Sequence, residues 1–329
     1  MNRKIIGILG LTGLMLTGCA SPEVETEQTM IGAYSINEIM QDNGQKIEKH
    51  FQNEGEDGVL DINAIVDIPN TSLKEGVIQS KEWDISMLKN VLCPETDMIL
   101  EKNSQSDYMR YIGGANYDTY IEISKSDNSL VYCNYKLDAY FVNAGFELRN
   151  QSDWTESEQK FVREMEENSI DLYSKLGIEA EVENTDLTVT NGKKYCSIKM
   201  LRTLDGCPWL DAGGEPIGDT IQIAEPGING LSLSEQYTIE DAKEASVLSI
   251  DEIMQIIDMG VKNGNIHTYI VEDKGFDYTI QSIRMGYMTE IEDGAMHFFP
   301  VWYFQCKLGE KGITLLALDA RNGAVVYMG

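Results

Sequence analysis

The chain predicts an α+β fold, two domains of antiparallel sheet packed with helices. Three observations predict it. Short apolar runs of strand length are joined by two- or three-residue turn signals, the grammar of antiparallel neighbours. Two longer stretches, beginning at Ser157 and Ser249, place apolar residues at helical spacing behind acidic or capped first turns. Removal of a leader over residues 1–18 leaves 311 of the 329 residues, more than one hydrophobic core ordinarily serves.

The leader comes first in chain order. Asn2, Arg3 and Lys4 form a basic head, Ile5–Leu16 an apolar run of twelve residues, and Thr17-Gly18-Cys19 a small-residue end. A bilayer-spanning helix needs about 20 residues, so this run is an export signal and not a retained span. The arrangement resembles a bacterial lipoprotein signal. That resemblance implies a diacylglycerol on the Cys19 sulfur and cleavage just before it, with residues 1–18 as signal peptide. Two acyl chains make such an attachment durable, since each buried methylene contributes about 0.8 kcal/mol. Ala20–Gln28 is polar, acidic and aperiodic, so residues 19–34 read as a flexible tether.

An N-terminal α+β domain is expected over residues 35–232. Ser35–Gln41 reads SINEIMQ, a helix start in which Ser35 caps and Glu38 reaches back. Val59–Ile68 alternates as a strand and stops at Pro69. Glu82–Leu92 carries Trp83, Met87, Leu88 and Val91 at helical intervals. Tyr108–Tyr111, Tyr117–Ser124 and Leu130–Tyr135 read as a meander turned by Gly113-Gly114 and Ser126-Asp127-Asn128. Ser157–Leu176 is a helix with Phe161, Met165, Leu172 and Leu176 on one stripe and Gly177 as its stop. Glu181–Thr190 and Lys193–Thr203 form a hairpin about Asn191-Gly192. Gly206–Gly218 is a turn-rich loop, and a boundary is expected between Gly227 and Thr238.

The C-terminal domain, residues 233–329, is expected to hold one helix and a four- or five-stranded antiparallel sheet. Ser249–Gln255 reads SIDEIMQ and repeats the first capped start at six of seven positions; coincidence of a common capping pattern and internal duplication both account for it. The apolar runs are His267–Val271, Tyr278–Ile291, Phe298–Leu308, Ile313–Leu318 and Ala324–Met328. Arg284–Tyr287, Pro300-Val301-Trp302-Tyr303-Phe304 and Asp319-Ala320-Arg321-Asn322-Gly323 resemble a PepSY-like module, of the kind found in membrane-tethered regulators of sensor kinases. Pro300 is expected to open a strand, Trp302 and Phe304 to pack one face, and Asp319 with Asn322-Gly323 to close a tight turn. With the leader, the whole chain resembles uncharacterised clostridial-type lipoproteins, a relation that brings no catalytic residues.

Composition narrows the partners. The chain has 26 basic and 54 acidic side chains, a net charge of −28 that becomes −30 once Arg3 and Lys4 leave with the signal. Such a surface repels nucleic acid and anionic headgroups; the charge reads either as a simply solvating surface or as one that attracts cations or basic peptides. Of six cysteines, lipidation of Cys19 leaves Cys93, Cys133, Cys196, Cys207 and Cys306, an odd set that implies no full disulfide framework. Cys196 with Cys207, and Cys93 with Cys133, are the pairings export would permit. His50, His267 and His297 stand without metal-ligand spacing, and no nucleophile elbow, zinc helix, P-loop or dinucleotide fingerprint occurs. Neither metal nor cofactor is expected. Cys207, in Gly206-Cys207-Pro208-Trp209, is the one loop thiol with a nucleophile's setting, and Glu54–Asp57 and Asp205–Glu215 are the acidic loops that could meet calcium.

These readings converge on a lipid-anchored protein on the extracytoplasmic face of the cell membrane, non-catalytic, binding an envelope protein or peptide. The alternative is a small-ligand receptor with an interdomain cleft lined by Trp209 and Tyr237. A third is an envelope enzyme whose active site is scattered through the sequence.

Overall fold

The computed structural model describes residues 32–53, 58–101, 107–114, 116–137, 147–190, 192–268, 278–308 and 311–329. The lipoprotein signal, Cys19 and most of the tether lie outside them, as do Glu54–Asp57, Asn191 and the apolar run from Tyr269. Gly32–Gly329 clusters as one compact unit of mixed α+β structure, mostly sheet.

In chain order the unit begins with α1 (Ile36–Ile39), β1 (Lys46–Gln52), β2 (Val59–Asp67), β3 (Lys74–Lys81) and α2 (Ile85–Leu92). A run of strands follows: β4 (Met98–Leu100), β5 (Tyr108–Gly113), β6 (Thr119–Ser124), β7 (Leu130–Asn134) and β8 (Glu147–Arg149). After α3 (Glu156–Lys175) come β9 (Ala180–Thr190), β10 (Lys193–Leu204), the two-residue β11 (Cys207–Pro208), β12 (Gly218–Ala224) and β13 (Gly227–Leu233). The chain ends through β14 (Gln236–Glu244), α4 (Ile250–Lys262), β15 (Ile280–Glu292), β16 (Ala295–Leu308), β17 (Lys311–Asp319) and β18 (Val325–Met328).

Two sheets result. One has the order β4-β5-β6-β7-β13-β12-β10-β9-β8, antiparallel throughout, with β11 appended to β10. The other has the order β1-β2-β15-β16-β17-β18, with β3 joining β16 to β14. Its pairs are antiparallel except for β2 with β15. The boundaries drawn at 35–232 and 233–329 therefore do not follow the sheets. β2 and β3, within residues 59–81, pair with C-terminal strands, and the β4–β13 sheet is inserted between β3 and β14. Because Lys81 is registered opposite Gln236, the insertion leaves and returns at neighbouring positions.

Each sheet is faced by the helices its sequence prepares. In α4, Ile250, Ile253, Met254, Ile257 and Val261 form the buried stripe, packed into the cluster that holds Ile283, Met285, Trp302 and Phe304. Leu248 accepts from the Trp302 indole N–H at 3.1 Å, so this buried aromatic is satisfied at its one polar atom. In α3, Phe161, Val162, Met165, Leu172 and Tyr173 cover Ile198, Met200 and Ile221 of the other sheet. Helix α3 starts on a capping box between Thr155 and Glu158 and stops at Gly177, whose φ of 73° suits a residue without Cβ. The two SI-x-EIMQ segments both form capping boxes, but the first carries a four-residue helix and the second thirteen residues.

Two expectations need correction. Pro300 does not open a strand; it stands inside β16, where the neighbour changes from β3, ending opposite Phe298, to β17, starting opposite Val301. The missing N–H falls in that gap, so no ladder bond is lost. The Gly206–Gly218 loop is not merely turns, since β11 and Trp209 lie alongside β15 beyond the last residue paired with β2. Gly286 faces this loop: a Cβ there would stand 2.8 Å from the Pro208 carbonyl oxygen and 3.2 Å from the Tyr303 ring.

Candidate functional site: a cleft at the sheet junction

The place where the chain crosses between sheets is held by a buried ion pair. Arg202 on β10 donates Nε to Asp219 Oδ2 at 2.7 Å, Nη1 to the Glu235 carbonyl at 2.8 Å and Nη2 to the Ser234 carbonyl at 2.7 Å. Asp219 accepts with its other oxygen from the Ser234 backbone N–H at 2.7 Å. Both charges are thus paired and hydrogen-bonded, the condition under which burial of ions is tolerated. Gln236 adds a further tie by donating Nε2 to the Leu176 carbonyl at the end of α3.

The loop wall is fixed in the same way. Trp209 donates its backbone N–H to the Arg202 carbonyl, Ile217 donates to Trp209, and Leu210 donates to Tyr287 at 2.7 Å. The Trp209 ring packs 5.6 Å from Tyr287, 5.7 Å from Phe298 and 6.4 Å from Tyr237, centroid to centroid. Contacts at these tilted geometries each add about 0.5–1.5 kcal/mol beyond area. Trp209 is held on three sides, with 8 % of its surface exposed.

These ties frame a cavity of about 250 Å³. Its apolar lining comes from Ile178, Leu204, Trp209, Ile217, Tyr237 and Ile239, and its polar lining includes Lys81, Glu179, Arg202 and Glu235. Burial, joined by the Glu235 carboxylate, pushes the Tyr237 phenol up to about 12, so the ring presents a neutral hydroxyl. Glu179 is already occupied: it accepts from Gly206 N at 2.7 Å, Asp205 N at 3.1 Å and Thr203 Oγ1 at 3.1 Å. The chemistry available is therefore apolar and aromatic contact beside a rim of mixed charge.

Trp209 and Tyr237, singled out in the sequence, stand together in this cleft. The other candidates fall elsewhere. Cys207 is not an accessible loop thiol; it is 1 % exposed, and burial, aided by Asp205, pushes its thiol up to about 12. None of Cys93, Cys133, Cys196, Cys207 and Cys306 is in a disulfide, so neither export-permitted pairing is made. His50 meets Asp61 at 2.6 Å across β1 and β2. His267 follows α4, with its backbone N–H on Met328 Sδ, whereas His297 lies in β16 opposite Glu290 and Val77. In the acidic loop, Asp205 pairs with Lys74 at 2.7 Å and Asp211 accepts from Gly213 and Glu215 N–H groups. Among the described residues no group of three His, Cys, Asp or Glu side chains is placed to hold a metal ion. Among them, too, no helix is long and apolar enough to cross a membrane.

Sequence reading missed Arg202, Asp219 and Glu235. One signal was available: Arg202 interrupts the apolar run Met200-Leu201-Arg202-Thr203-Leu204. A guanidinium inside a strand core demands a carboxylate partner.

No known protein-family profile matches the chain, and no curated protein matches it. Among solved structures, an uncharacterised protein from Eubacterium rectale ATCC 33656 is similar with a TM-score of 0.54. The match covers 89 % of this chain and 98 % of that one at 15 % identity. At that identity the likeness shows a shared fold alone.

Proposed function

We propose that the protein is an extracytoplasmic lipoprotein, tethered to the cell membrane through a diacylglycerol on Cys19, that binds a protein or peptide of the envelope without catalysing its conversion. The observation that carries the binding reading is the cleft at the sheet junction. Its aromatic wall is pre-organised by Tyr287, Phe298 and the Arg202–Asp219 network, which lowers the ordering cost of capture. The chain's net charge of −28 favours a basic partner. The PepSY-like tail, with α4 followed by β15–β18, agrees with a regulatory or peptidase-restraining role.

Metabolic labelling with an alkynyl fatty acid, followed by membrane crosslinking and capture of the full chain, tests both parts. The expected result is a labelled membrane form and a reproducible crosslinked protein or peptide, both lost in Cys19→Ala. A bare Cys19 sulfur removes the anchor, and capture without a reproducible partner removes the binding role. The small-ligand alternative draws on the same cavity, whose volume of about 250 Å³ accommodates a compact ligand. Thermal-shift screening separates the two, since a ligand at about 100 times its Kd adds about 2.7 kcal/mol.

A further inference from the structure

We propose that the open edge of β14, from Tyr237 to Glu240, accepts an extended basic peptide as an added strand, with one apolar side chain of that peptide seated in the Trp209–Tyr237 cavity. This names the partner class and binding mode of the site on which the proposed function rests.

Strand β14 pairs with β3 on one side and, among the described residues, with no strand on the other. An unpaired edge is a row of backbone donors and acceptors, the surface used when peptides bind by strand addition. Ile239 lies opposite Ile78 in the register. Ile78 is 1 % exposed while Ile239 is 37 % exposed, so the apolar strip of the core runs off the sheet edge uncovered. The cavity lies at this end of the strand, with Tyr237 and Ile239 in its wall. A further strand would continue that strip and set an apolar side chain beside it.

The structure also limits the length and charge of the occupant. The register breaks between Glu240 and Lys243, and Asp241 has a φ of 49°, a bulge that ends regular pairing. Gln236 is buried at the other end, so Tyr237–Glu240 is the usable stretch. Glu240 lies in that stretch and Glu235 just before it, against Lys81 opposite Gln236, and the chain's net charge of −28 adds to the preference for a basic occupant. Side chains alternate across a strand, so the fitting sequence alternates apolar with Lys or Arg. Self-association through two β14 edges would set like charges against each other, which disfavours a second copy as occupant.

The test uses the full-length chain in detergent micelles and fluorescein-labelled peptides of about seven residues, matched to the short open edge. One alternates Leu or Phe with Lys, and a control carries Glu in place of Lys. Successive N–H groups of a strand point alternately toward and away from the partner, so one of Thr238→Pro and Ile239→Pro spares the β3 ladder. The Lys peptide is expected to bind and the Glu peptide not to. The proline variant that keeps the wild-type melt is expected to lose at least about tenfold in affinity, and Glu240→Gln to narrow the Lys preference by about threefold. Should both prolines unfold the protein, hydrogen exchange decides: peptide must slow exchange within Tyr237–Glu240. Unchanged affinity in the folded proline variant, equal binding of the Glu peptide, no protection of these amides, or a wild-type dimer abolished by the proline each overturns the inference. If a crosslinked partner is still captured in any of those cases, the envelope-binding reading stands and only the edge mode falls.

Discussion

Arg202 has three donors committed to Asp219, Ser234 and Glu235, and it is 7 % exposed at the point where the chain passes from one sheet to the other. Arg202→Met leaves the Asp219 carboxylate buried without its partner, a loss of about 3–5 kcal/mol. Adding Asp219→Leu removes the stranded charge and should recover most of it; urea midpoints at unchanged slope read both outcomes. The cysteines give a second test. Cys93, Cys196, Cys207 and Cys306 are buried, and burial pushes the thiols of Cys93 to about 11 and of Cys196 and Cys207 to about 12. Iodoacetamide at pH 8 should therefore label Cys133 first in the native protein and the others only after unfolding, as mass spectrometry would show. Single residues were legible where the chemistry is local. Trp209 and Tyr237 announce themselves as large aromatics beside turns, whereas the Arg202–Asp219 pair depends on a register between β10 and β12 that no spacing encodes.

Among elements, the legible ones carry their own punctuation. Strands β5, β6 and β7 are joined by turn signals and pair in sequence order, with β6 alternating buried and half-buried residues over Thr119–Ile123. Strands β1, β3 and β14 went unread because they are polar and largely lack a buried face, and the pairing of β3 and β14 is supplied by distant chain. The helix starts are testable. Ser249→Ala removes a cap from a thirteen-residue helix and should cost about 0.5–2 kcal/mol, while Ser35→Ala, on four residues, should cost less. In α3 the backbone and hydroxyl of Thr155 donate to Glu158 and hold its carboxyl below the ordinary value of 4.5. A carboxyl lowered in the native state contributes stability that is complete above the unfolded value and is lost as pH falls through the native one. Glu158→Gln should therefore flatten the acid limb of the stability curve below pH 4.5 and leave its slope near neutrality unchanged, which melts across pH would record.

The whole molecule is one sheet interrupted by another, and this was hidden from the sequence because β3 and β14 are separated by more than 150 residues of inserted chain. Fragment 233–329 lacks β1, β2 and β3. Without them β15 loses its parallel neighbour, the first part of β16 loses β3, and β14 has nothing to pair with. Buried Ile78, Leu60 and Ile62 leave with those strands, stripping the core around α4. That fragment should show no cooperative melt, although it contains all of α4 and β15–β18. The opposite excision should succeed. Lys81 and Gln236 are registered partners, so an Asn-Gly turn in place of 82–235 closes β3 and β14 as an ordinary hairpin. The excised chain should melt cooperatively but less stably than the parent, because Cys207 and Trp209 no longer cover Tyr287 and Phe298. Calorimetry of the two shortened chains decides between an inserted sheet and a serial pair of domains: a cooperative transition in 233–329 alone would mean that the C-terminal strands need nothing from residues 46–81.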